Sequence, residues 1–145
     1  MVIRKATSSE LQMIQDHSEI VKKEATVGNV EANREKVIQM VSQILSAGGY
    51  YLVHAENNEV KGWIGIGKTF NFLLDEMHGI IPELYVIPRY RKQGIAGELC
   101  KEACRQLKIE GYKKVQLNVF KGNHAKKLYE KLDFYEVSSL MEKEL

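Results

Sequence analysis

Residues 89–97, RYRKQGIAG, crowd three cations against two glycines at the point where an apolar helix pattern begins. Gly94 and Gly97 carry no Cβ, so a ligand can come close to the main chain there. The first N–H groups of a helix have no partner within it, and the helix dipole adds roughly half a positive charge. Arg91 and Lys92 add full charges. Such a place suits a phosphate or pyrophosphate. It is not a G-x4-G-K-[S/T] loop, and both the G-x-G-x-x-G fingerprint and the second βαβ half of a dinucleotide fold are missing. On spacing alone, a helix start with basic decoration is the competing reading.

Glu83 is the second candidate. It interrupts the apolar run GIIPELYVI (79–87), and a carboxylate in a buried strand calls for a partner or a task. A salt-bridged structural role and a general base are both open. By two-residue alternation Glu83 shares a face with Tyr85. His17, His54, His78 and His124 fall on different elements without ligand spacing, so no metal is assigned. Cys100 and Cys104 sit in one helical pattern, with no second pair to complete a zinc site, and read as reduced, packed thiols. Trp63 within GWIGIG packs a hairpin or walls an acceptor site.

Elements must position these groups. VIRKA (2–6) predicts a strand, and SSE (8–10), with Ser/Thr caps ahead of Leu11 and Ile14, a helix start broken by Gly28-Asn29. Val37, Met40, Val41 and Ile44 mark a second helix over 30–46, stopped by Gly48-Gly49. Strands at 50–56 and 59–70 meet at Asn57-Asn58 as a hairpin, and 71–78 is a loop. Then follow a strand at 79–87, a helix at 94–109, a strand at 112–120, a helix at 122–132 and a strand at 134–145. The order β-α-α-β-β-β-α-β-α-β is an α/β (α+β) class, a mixed sheet with helices on both faces. The unit 79–120 is a βαβ, which makes its two strands parallel.

Length and composition bound the rest. At 145 residues, 1–145 reads as a single domain able to bury its own core. The first residues carry no apolar run of a signal peptide, and no segment reaches the ~18 apolar residues of a membrane span. A cytoplasmic protein is expected, with no membrane partner. The net charge of +2 hides an asymmetry: residues 88–131 hold 12 Lys/Arg against 4 Asp/Glu, while residues 1–87 hold 8 against 11. Near-neutrality overall, and a single Phe in KKVQLNVF, argue against a nucleic-acid binder.

ELYVIPRYRKQGIAGELC resembles the cofactor-binding core of the GNAT N-acetyltransferase superfamily, whose R/Q-x-x-G-x-G/A signature matches Arg91-Lys92-Gln93-Gly94-Ile95-Ala96. NHAKKLYEKLDF (123–134) is similar to the family's second block, N-x-x-A-x-x-L-Y-E-K-x-G-F. The two blocks and the strand between them cover about 50 residues in the family order. Two departures stand out: Asn123 is two residues before Ala125 rather than three, and Asp133 replaces the usual Gly.

The resemblance implies acetyl-CoA as donor and no metal. The amides of Lys92, Gln93, Gly94, Ile95, Ala96 and Gly97 would hold its pyrophosphate, with Arg91 beside them. Main-chain groups of Tyr85 and Val86 would pair with the pantetheine arm in a gap between the strands at 79–87 and 112–120. Asn123 either touches the cofactor or caps a helix. Tyr129 matches the family Tyr of LYEK and reads as the general acid, against a packed aromatic. Glu83 or water would be the base, and the Val86 N–H the oxyanion donor. The reaction implied is acetyl transfer to a primary amine of a small molecule or peptide. A silent or regulatory acyl-CoA-binding module is the alternative, and homodimers are common for this fold.

Overall fold

The structure, a computed structural model, describes residues 2–30 and 33–145. Glu31 and Ala32, at the start of the helix predicted over 30–46, lie outside the described residues. Strand β1 (Val2–Lys5) leads to helices α1 (Ser8–Asp16), α2 (Ser18–Ala25) and α3 (Arg34–Ser46). Strands β2 (Tyr50–Glu56), β3 (Glu59–Asn71) and β4 (Glu76–Val86) follow, then α4 (Ile95–Ile109), β5 (Val115–Gln116) and α5 (Ala125–Lys131). The sheet order is β1-β2-β3-β4-β5, antiparallel except for the parallel β4–β5 pair. The α/β class and the mixed sheet expected from the sequence are both present.

Local chemistry explains the boundaries. The start of α1 is a capping box: Thr7 Oγ1 accepts from the Glu10 N–H at 3.3 Å, and Glu10 Oε1 accepts from the Thr7 N–H at 2.9 Å. Asn33 caps α3 by accepting from the Glu35 and Lys36 N–H groups. The first helical stretch breaks at His17, whose ring nitrogen bonds the Met13 carbonyl at 2.8 Å, leaving two helices where the sequence suggested one. Asn57 and Asn58 both take positive φ, the geometry of a two-residue hairpin turn. β4 starts at Glu76, inside the stretch expected as loop, because Glu76, Met77 and His78 pair with Asn71, Phe70 and Thr69 of a long β3.

Two predicted strands need correction. The strand expected over 112–120 is reduced to Val115–Gln116, and the one expected over 134–145 is absent. A strand exists only where a partner offers hydrogen bonds. β5 meets β4 at Gly79↔Val115 and Ile80↔Gln116 alone. One residue further on, β4 carries a bulge: Gly65 faces Glu83 and Gly67 faces Ile80, so β4 has one residue more than β3 between these pairs. Pro82 lies in that bulge, and β4 and β5 share no pair beyond it.

Two cores cover the two sheet faces. Ile14, Val21, Val41, Val53, Trp63 and Tyr85 are buried under α1–α3. Leu52, Ile64, Ile81, Val86, Leu99 and Leu107 are buried under α4, with Tyr129 and Phe134 packed against them. Cys100 and Cys104 are free thiols on α4.

Candidate active site

α4 begins bare. Gly94, its N-cap, takes φ +81°, no side chain caps it, and a Cβ built there meets nothing within 4 Å. Glu98 makes the first helical bond, to the Gly94 carbonyl at 3.1 Å, so the N–H groups of Ile95, Ala96 and Gly97 precede any internal partner. Lys92 is also left-handed, at φ +64°. Two left-handed residues ahead of a helix turn successive amides toward one concavity, an anion cradle. Lys92, Gln93 and Gly94 are exposed around it. Gly97 plays a different part: a Cβ there stands 3.8 Å from Leu128, an ordinary packing distance on the α5 side.

Arg91 is already engaged. Its Nε donates to the Val86 carbonyl at 2.9 Å, its fork meets Glu24 of α2 at 2.6 Å, and it lies 5.2 Å over the Tyr85 ring. Asn123 makes a parallel tie: its Nδ2 donates to the Ala25 carbonyl at 3.1 Å, and its Oδ1 accepts from the Ala125 N–H at 2.9 Å. The second bond satisfies the N–H of Ala125, the first residue of α5, from one position ahead of the N-cap His124. The first fixes the end of α2 to the start of α5. Glu24 and Ala25 are neighbours, so the cradle loop and the α5 loop both clamp the end of α2.

On the α1–α3 face, Glu83 Oε2 accepts the indole N–H of Trp63 at 2.7 Å. Trp63 pairs with Tyr85 across the ladder, their rings 5.1 Å apart, and His17 meets the indole edge-on at 5.5 Å. Burial pushes the Glu83 carboxyl up, while the indole hydrogen bond and the Lys22 cation pull it back. Burial pushes the hydroxyls of Tyr51 and Tyr85 up as well; the Glu83 charge adds to the first and the Glu24 charge to the second.

On the other face, Tyr129 packs in the α4 core with its ring 5.7 Å from Phe134. Burial raises its hydroxyl to about 12. Glu83 and Tyr129 therefore lie on opposite sides of the sheet. Asp133 takes φ +69°, the left-handed conformation that Gly usually fills.

The sequence model of the acetyltransferase (GNAT) family matches residues 14–134. The chain belongs to this family. Solved structures share its fold over nearly the whole length. A possible acetyltransferase from Clostridium difficile superposes with TM-score 0.78 at 24% identity, covering 99% of this chain and 96% of that one. An acetyltransferase from Clostridium acetobutylicum, predicted as such and solved with acetyl-CoA, gives TM-score 0.76 at 18% identity over 99% and 95%. The aminoglycoside 6'-N-acetyltransferase of Acinetobacter haemolyticus gives TM-score 0.75 at 15% identity over 100% and 98%. No curated protein matches the sequence.

GNAT acetyltransferases use acetyl-CoA, and the residues here fit its anionic part: a row of unpartnered amides, open space over Gly94 and Lys92 beside it. Among the described residues no group of three His, Cys, Asp or Glu side chains could hold a metal ion, and no helix is long and apolar enough to cross a membrane. Sequence reasoning missed Glu24 and Lys22. Both lie on a short helix more than 55 residues from the strand and loop they face, and no local pattern announces the meeting. It named Trp63 without its role, because the hydrogen bond to Glu83 depends on the β3–β4 register.

Proposed function

We propose that this protein moves the acetyl group of acetyl-CoA to a primary amine by direct attack. The bare start of α4, set beside two strands that share only two pairs before parting, carries this reading. Acetyl-CoA supplies an activated acetyl thioester. The amides of residues 92–97 grip its diphosphate, and the β4 edge at Tyr85 and Val86 lines the gap that takes the pantetheine arm.

Each remaining group has a task. An alkylammonium, with a pKa near ~10.4, must lose a proton before attack. Glu83, held in place by Trp63 and pushed upward from its ordinary value by burial, accepts it directly or through water. The Val86 N–H stabilises the developing oxyanion. Tyr129, at about 12, stays protonated through the neutral range and donates a hydrogen bond to the departing sulfur. Full proton transfer to a thiolate of pKa ~8.5 is uphill from there, so stabilisation of the leaving group is the larger part of its role.

The acceptor enters from the α1–α3 face, where Trp63, Tyr85 and His17 form an aromatic wall around one carboxylate. Release of free CoA thiol, followed with acetyl-CoA against a panel of polyamines, aminoglycosides, amino acids and peptides, tests the activity. Turnover with at least one amine is expected. Binding of acetyl-CoA without turnover across the panel would favour a silent acyl-CoA-binding module instead.

A further inference from the structure

Cys100 and Cys104 stand about one turn apart on α4, on the face turned toward the end of α5. Their surroundings differ. Cys100 is fully buried in the core with Leu99, Ala103 and Leu107, while Cys104 is only partly covered. Both line a cavity of about 330 Å³, which Lys101 completes from α4 and Lys131, Leu132 and Asp133 complete from the end of α5. That volume lies at the lower end of small-molecule pockets. The cavity is separate from the cofactor loop, since Cys104 lies ten residues past Gly94, roughly 15 Å along the helix. The acetyl-transfer reading uses neither thiol.

The pair holds its protons unequally. A hydrogen bond from the Cys100 thiol pulls Cys104 down from the ordinary thiol range, against the push of burial. The same contact, with burial behind it, pushes Cys100 up. Exposure dictates the same order, because an anion is costly at the buried sulfur and cheaper at the partly solvated one. Cys100 is the packed thiol that the sequence suggests; Cys104 is a nucleophile facing a cavity.

The charges around that cavity select its partner. Lys101, Lys131 and Asp133 are all exposed, and among the described residues none of the three is ion-paired. Two ammonium groups thus face one carboxylate. They sit at the edge of the stretch 88–131, where 12 Lys/Arg outnumber 4 Asp/Glu. A negatively charged reagent is drawn to such a surface, and a departing thiolate is stabilised beside it.

We propose that Cys104 is a thiol-exchange site, which takes a small anionic disulfide into this cavity and keeps half of it as a mixed disulfide. The Cys104 thiolate attacks one sulfur of R–S–S–R. A new bond forms from Sγ to that sulfur, the original S–S bond breaks, and the second sulfur leaves with the electron pair as R–S⁻. The proton that Cys104 gave to solvent ends on this leaving thiolate. The protein thiol is oxidised and the small disulfide reduced, and excess small thiol reverses the step.

Mass spectrometry of the folded 145-residue chain after incubation with oxidised glutathione, followed by peptide mapping, tests this. One adduct per chain is expected, on Cys104, removable by dithiothreitol and absent from Cys104→Ser. Exchange rates with oxidised glutathione and CoA disulfide, both anionic, are then compared with that of cationic cystamine, each divided by the reagent's rate with a free small thiol. The faster anionic reagent is expected to exceed cystamine by roughly 10-fold at low ionic strength, and it names the body the cavity accepts. Lys101→Gln/Lys131→Gln, two exposed positions, should bring the ratios together with unchanged circular dichroism. These readouts do not depend on acetyl transfer. A folded chain that takes no adduct while the urea-unfolded chain does overturns the proposal. So does an adduct on Cys100, a cystamine rate equal to or above the anionic ones, or a preference untouched by the lysine variant.

Discussion

Glu83 receives the indole N–H of Trp63 at 2.7 Å from the diagonal position across the β3–β4 ladder. Burial raises the carboxyl and the indole lowers it, so the two effects set where it ionises. A base works in its deprotonated form, and kcat/KM is therefore expected to rise with pH along a limb above the ordinary carboxylate value of ~4.3. Trp63→Phe removes the stabilising donor and moves that limb higher. Glu83→Gln abolishes it and lowers kcat/KM by about 10²–10⁴-fold. An unchanged limb in Glu83→Gln would assign the proton to water or to another group.

Tyr129→Phe keeps the packing against Phe134 and removes only the hydroxyl. The expected outcome is a fall in kcat of roughly 10²-fold or more, the lower range for a positioned proton or hydrogen-bond donor. The Kd for acetyl-CoA should be unchanged in calorimetry, and Tm close to that of the parent. Parental kcat in this variant would leave Tyr129 as a packing residue.

Two glycines of the cofactor loop should respond oppositely. Gly94 is left-handed and faces open space, so Gly94→Ala costs roughly 1–2 kcal/mol of backbone strain and sets a methyl over the amides. Acetyl-CoA binding is expected to weaken by at least ~10-fold, about 1.4 kcal/mol. Gly97 is helical and its Cβ would rest at van der Waals distance from Leu128, so Gly97→Ala is expected to raise stability by about 0.5–1 kcal/mol. Thermal melts with and without acetyl-CoA read both effects.

Much of this arrangement is legible in the sequence where the signal is local. Asn57-Asn58 announce their turn because few other residues tolerate positive φ in succession, and Gly48-Gly49 stop α3 as expected. Residues 91–97 announce a bare helix start beside cations because the glycines and the charges are adjacent in the chain. What was not legible depends on partners distant in sequence. The stretch 112–120 has strand-forming residues at Tyr112, Val115, Val119 and Phe120, but its ladder to β4 ends at the Ile81–Pro82 bulge. Residues 134–145 include strand-forming residues such as Phe134, Tyr135 and Val137, but among the described residues no strand pairs with them. Arg91 looked like a free cation; Glu24, 67 residues away, already neutralises it.

Stability in acid should depend on Glu10. The Arg4 fork and the Thr7 cap hold its carboxyl at about 2, below the ordinary value near 4.3. A lowered native pKa gives stability that is complete above ~4.3 and is lost as pH falls toward 2. Glu10→Gln is expected to cost about 1–2 kcal/mol at pH 7 and little at pH 2, because it removes both the ion pair and the charge on the cap. Urea melts at the two pH values measure the difference; equal losses at both would show that packing, not charge, matters at this site.

Calorimetric titration of acetyl-CoA into the 145-residue chain, beside the Gly94→Ala variant, tests the central claim that the amides opening α4 grip the coenzyme's diphosphate. The account predicts saturable heat with one site per chain, and an affinity at least ~10-fold weaker in the variant. No heat with the parent protein, or equal affinity in the two, would contradict it.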